Sequence, residues 1–112
     1  MAVTRARDWL LAQVGSSPPE LIEMMLGAMP EIPDQPVAEI LVGGAMALYA
    51  AVVDGTGGRE DALALLAADA LFTHAFQAQA EFDPQGLSAY VRLWTDGARL
   101  SALLADPETA PA

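Results

Sequence analysis

The feature that most constrains this chain is an uncharged apolar segment at residues 40–53, bounded by Glu39 and Asp54. Its 14 residues are too few to cross a bilayer as a helix, which takes about 20. Because no face of a helix through this segment is polar, such a helix needs neighbours on several sides. The segment therefore predicts a central helix of an α-helical bundle, and we expect no membrane span.

A second segment, at residues 62–80, is nearly as apolar and is interrupted by only a few polar side chains. Alanine makes up about a fifth of the chain and β-branched residues are scarce, which favours helix over strand. We therefore predict two apolar central helices, at about residues 36–53 and 59–81. The glycine-rich stretch between them is typical of a turn that joins antiparallel helices.

Three amphipathic helices are predicted to cover this pair. The first begins at about Thr4 and is closed by a left-handed Gly15. The second begins at a capping box, with Ser17 as the cap, Pro18 in the first helical position and Glu20 reaching back to the cap.

The last helix is predicted to start at Asp83-Pro84, an acceptor side chain followed by proline, and to continue to about residue 104,. The fold class is therefore all-α, with a single helical domain of about five helices at residues 1–105. Residues 106–112 are predicted to form a disordered tail.

Charge and composition exclude some classes of partner. The net charge is −10, from 15 acidic residues against 5 arginines, so nucleic acid and anionic membrane surfaces would be repelled. Cysteine is absent, which fits a reducing cytoplasm. Lysine and asparagine are also absent while alanine is abundant, a pattern that favours a GC-rich bacterial source.

His74 is the only histidine and the main candidate for chemistry. Asp69 lies five residues earlier, about 140° around a helix, so the two side chains do not share a face. No Glu-x-x-His pattern is present, which argues against a di-iron bundle. A hydrogen-bonded structural role is favoured, with a ligand role as the weaker alternative. We predict no catalytic residue, metal or cofactor.

Two sequence features suggest a partner surface. Met24, Met25 and Met29 crowd the second helix, where methionine either fills a core or adapts to a partner. Gly43 and Gly44 lie inside an apolar helix at a cost of about 1 kcal/mol each, so they need a packing reason. Either the fourth helix packs closely there, or a ligand or second subunit does.

Three short covering helices leave apolar surface on two such central helices. The sequence therefore favours a non-enzymatic protein that acts through association, as a homodimer or with another protein. The alternative is a binder of a small apolar ligand or pigment between the central helices. An accessory subunit of an enzyme is less expected.

Overall fold

The computed structural model describes residues 2–32 and 34–95, with side chains over residues 5–32 and 34–93. Within these ranges the protein is an all-α bundle, which confirms the predicted fold class. Its elements are α1 (Ala2–Val14), α2 (Pro19–Ala28), α3 (Val37–Val53), α4 (Arg59–Phe82), a 3₁₀ turn (Pro84–Gly86) and α5 (Leu87–Thr95). The predicted helix end near residue 104 and the predicted tail at 106–112 lie outside the described residues.

The helices α3 and α4 form the centre of the bundle, as the sequence predicts. Ile40 and Leu41 on α3 and Leu71 on α4 are fully buried, and the buried Ala67 and Ala75 leave room for the neighbouring helices to approach α4. None of the helices in the described part of the chain combines the length and the apolarity that a bilayer crossing requires.

The loop between α3 and α4 is closed by Asp61, which lies in the first turn of α4. The backbone N–H of Gly57 donates to Asp61 Oδ2, and Gly57 has a φ of 81°, a conformation that favours glycine,. Gly55 lies so close to the same carboxylate that it has no room for a Cβ atom. This short, closed loop holds α3 and α4 in an antiparallel hairpin.

One side of the hairpin is covered by α1. Ala6, Leu10 and Val14 are buried, and their spacing of four residues places them on one face of the helix. Arg7 Nη1 donates to the backbone oxygen of Leu26 at 3.2 Å, which joins α1 to the last turn of α2.

The helix α1 ends at Val14, as the sequence predicts, but its start and its closure differ from the prediction. The helix begins at Ala2, before the predicted cap Thr4. Gly15 does not adopt a left-handed conformation. Instead, the chain leaves the helix through a turn in which the Ser17 N–H donates to the Val14 oxygen at 2.8 Å.

The predicted capping role of Ser17 is wrong. The first residue of α2 is Pro19, and Pro18 before it is extended, with a ψ of 138°. A residue that precedes proline is pushed out of the helical region, so Pro18 cannot be the first helical residue. Ser17 is therefore one position too far from the helix, and α2 has no side-chain cap.

The predicted capping role of Asp83 is confirmed, but for the 3₁₀ turn. Asp83 Oδ1 accepts a hydrogen bond from the Gly86 N–H at 3.3 Å, and α5 begins at Leu87. Tyr90 on α5 is buried, and its ring meets Phe76 edge-on with 5.3 Å between centroids. The helix α5 thus packs on the C-terminal half of α4.

Candidate functional site

The predicted methionine surface lies mostly inside the protein. Met25 and Met29 belong to the core and only Met24 is half-buried. Met24 borders a shallow cleft that also contains Glu20 and Arg59. Met25 and Met29 therefore fill the core. In this conformation, Met24 is the methionine of α2 that a partner could contact.

The two glycines of α3 are sites of close packing. A Cβ atom on Gly44 would lie 3.0 Å from Leu71 Cδ1 of α4. A Cβ atom on Gly43 would lie 2.9 Å from Pro30 Cγ, in the connector after α2. The sequence leaves open whether these glycines allow close packing within the protein or contact with a ligand or second subunit. The structure gives contacts for close packing, which involves both α4 and the connector after α2.

His74 belongs to a polar chain between α1 and α4. Its Nδ1 lies 2.8 Å from Gln77 Oε1, and Gln77 Nε2 donates to Gln13 Oε1 at 2.8 Å. Because an amide oxygen only accepts, Nδ1 carries the proton and donates. The ring also meets Trp9 edge-on, with 6.4 Å between centroids. These contacts give His74 a structural environment, in which it helps to hold α1 against α4.

A cleft of about 540 Å³ lies where the start of α1, the start of α3 and the end of α4 meet. The guanidinium of Arg5 lies 4.5 Å from the centre of the Phe82 ring, a cation–π arrangement. The cleft also contains the carboxylates of Asp34 and Asp83. This mixture of one cation and two anions favours no single class of ligand.

Among the described residues, exposed large apolar side chains lie close together at the loop end of the hairpin. Val53, Leu65 and Leu66 are 67%, 42% and 60% exposed. Tyr49 contacts Asp69 across the two helices, and Val53 follows Tyr49 by one turn while Leu65 precedes Asp69 by one turn. In an antiparallel pair Val53 and Leu65 therefore lie at the same level, with Leu66 beside them. We call these three residues the hairpin patch.

The Tyr49–Asp69 hydrogen bond borders the hairpin patch. The Tyr49 hydroxyl donates to Asp69 Oδ1 at 2.6 Å, and the Tyr49 ring meets Phe72 edge-on. Burial, followed by the hydrogen bond to Asp69 and its negative charge, raises the pKa of Tyr49 to about 12. The phenol is therefore neutral, and its bond fixes the spacing of α3 and α4 beside the patch.

The end of the bundle that carries the patch is strongly acidic. Six carboxylates lie on the hairpin loop, on the first turns of α2 and on the first half of α4; they are Glu20, Glu23, Asp54, Glu60, Asp61 and Asp69. The basic residue on these elements is Arg59, whose Nη2 is 3.5 Å from Glu20 Oε2. The hairpin patch is therefore an apolar surface bordered by negatively charged side chains.

The residues of the hairpin patch are not among the predicted partner residues, although the sequence carries a signal for them. Leu65 and Leu66 are adjacent, so their side chains are about 100° apart around α4. One neighbouring helix cannot easily cover both, and such a pair on a helix that is apolar nearly all round predicts exposure of one of them.

Within the described residues, no three acidic or histidine side chains come together as a group that could hold a metal ion. A scan against protein-family models matches no family, and searches of curated proteins and of solved structures find no significant match to this chain.

Proposed function

We propose that this protein is non-enzymatic and acts by associating with another protein through the hairpin patch. The observation that carries the proposal is the exposure of Val53, Leu65 and Leu66, which the pairing of Tyr49 with Asp69 places at one level of the hairpin, beside the acidic residues of the loop and of α4. Single exposed apolar residues are ordinary, whereas contiguous ones with a polar surround are typical of interaction sites.

The energetics support a contact of this kind. Complete burial of a leucine or valine contributes about 1.5–3 kcal/mol relative to leaving it exposed. Leu66 and Val53 are more than half exposed, so most of that free energy is available to a partner. The neighbouring Ala50 and Ala62 are exposed too, and their small side chains let a partner approach the backbone.

Photo-crosslinking in the source cells tests the proposal. A photoreactive residue at position 66 should give one discrete crosslinked protein. The same residue at position 11 is the control, because Leu11 is also an exposed leucine, at 39%, but lies on α1. Equal crosslinking at both positions, or none at position 66, would count against a partner at the hairpin patch.

A further inference from the structure

The hairpin patch has the dimensions of a contact with one helix. A standard protein interface buries about 800 Å² and some 20–30 residues on each side. The hairpin patch has three large apolar side chains, on the first turns of α4 and the last turn of α3. This is far fewer residues than a standard interface uses. An amphipathic helix makes contacts on this scale, because it inserts anchors at i, i+3, i+4 and i+7 into an apolar surface.

The charges around the hairpin patch determine which residues should flank the apolar face of a partner helix. Of the residues that the structure describes, six carboxylates and one arginine lie on the elements around the patch, and the arginine is already paired with Glu20. A second copy of this chain docked patch to patch would bring like charges together, which is unfavourable. A partner with cationic flanks would instead be attracted and held in register.

Asp69 supplies a directional contact within the surface. It is exposed, lies one turn beyond Leu65, and uses Oδ1 to accept from the Tyr49 hydroxyl. A carboxylate has lone pairs for further donors. An arginine of a partner can therefore bond to Asp69 while its apolar neighbours cover Leu65 and Leu66.

We infer, on the basis of the proposed function, that the partner of the hairpin patch is a single amphipathic helix whose apolar face is flanked by arginine or lysine. The apolar face covers Val53, Leu65 and Leu66, and the cationic flanks face the carboxylates of the loop and of α4.

The test uses the full chain and three synthetic helices of about 20 residues, each with leucines at i, i+3, i+4 and i+7. The peptides are identical except for flanks of arginine, glutamine or glutamate. Titration calorimetry gives the Kd of each, and the arginine peptide should bind at least about tenfold more tightly than the glutamine peptide. The glutamate peptide should be weaker still.

Two variants locate the binding. The double variant Leu65→Ser and Leu66→Ser should weaken the arginine peptide by at least about tenfold, whereas the control Leu11→Ser should change its Kd by less than about twofold. Circular dichroism and urea unfolding check that each variant is folded. The milder variant Leu66→Ala gives an intermediate loss and serves if the double variant is unstable.

Each remaining outcome overturns the inference in its own way. Equal binding of the arginine and glutamate peptides at the patch would remove the role of charge. Equal binding of the arginine peptide to wild type and the double variant would show attraction to negative charge without use of the patch. A dimer in sedimentation that the double variant dissociates would make a second copy the occupant, and association through the patch would survive. Crosslinking that fails at position 66 would instead reject the proposed function itself.

Discussion

The hydroxyl of Tyr49 donates to Asp69 Oδ1 at 2.6 Å, so one phenol and one carboxylate join the two central helices at the surface. The bond needs a neutral phenol, because only the protonated hydroxyl has a hydrogen to donate to the carboxyl oxygen. Its geometry couples the ionisation of Tyr49 to the packing of α3 against α4.

This coupling predicts a loss of stability in alkali. The pKa of Tyr49 is raised from 10.0 to about 12, so the folded protein keeps a proton that the unfolded chain releases. The contribution to the free energy of unfolding is fully present below about pH 10 and is lost as the pH rises through about 12,. Urea unfolding across this range should show a steeper decline for wild type than for Tyr49→Phe. Identical slopes would contradict the prediction.

Gly44 predicts a packing defect on enlargement. A Cβ atom there would lie 3.0 Å from Leu71 Cδ1 and 3.4 Å from the backbone Cα of Met29, so Gly44→Val should cost about 1–3 kcal/mol of stability. Gly27 is the matched control, since nothing lies within 4 Å of its Cβ position. Gly27→Ala should stabilise by up to about 1 kcal/mol. Urea midpoints measure both, and a Gly44→Val protein as stable as wild type would refute the close contact.

Two leucines of α4 should differ sharply in their contribution to stability. Leu71 is fully buried whereas Leu66 is 60% exposed. Leu71→Ala should lower the free energy of unfolding by about 2–5 kcal/mol, because it removes burial and leaves a cavity. Leu66→Ala should change it by less than about 0.5 kcal/mol. Chemical denaturation of the two variants side by side checks this, and similar losses would mean that Leu66 is covered.

Asp83 should stabilise the junction between α4 and α5. Its Oδ1 accepts from the Gly86 N–H and its Oδ2 from Gln79 Nε2. Asp83→Ala removes both acceptors and should cost about 1 kcal/mol, as loss of a helix cap does. Asp83→Asn keeps one oxygen and should cost less. Amide exchange at Gly86 reports the local effect, and unchanged exchange in the alanine variant would show that the cap is unimportant.

The fold class and the central pair were predictable because they follow from the extent of apolar sequence. A helix apolar on every side has to be buried, and this placed α3 and α4 at the centre. The predicted bounds of about 36–53 lie within one residue of the observed helix Val37–Val53, which Pro36 directly precedes. These are strong, local constraints that tertiary contacts do not override.

The errors arose where two local rules competed. Ser17 and Pro18 each suit the start of a helix, but a second proline at Pro19 restrains Pro18 to an extended conformation,. Gly15 suits a left-handed closure, yet the chain leaves α1 through a turn from Val14 to Ser17 in which Gly15 is not left-handed. Periodicity alone does not reveal which alternative the chain adopts.

The candidate site was less predictable than the fold. The methionines of α2 have the composition of an adaptable surface, but whether they face inward depends on how α2 rotates against α3 and α4. The exposure of Leu66 likewise depends on which sector of α4 the other helices leave open. Such rotations are set by packing over the whole bundle.

The hairpin of α3 and α4 has a consequence for the order in which the protein forms. Its two helices are neighbours in the chain and are joined by a short loop that Asp61 closes, so the contacts next to the loop join residues that are close in sequence. Proteins rich in such contacts fold in microseconds to milliseconds. We expect the hairpin to form early and α1 to dock onto it later, which makes the partner surface available before the fold is complete.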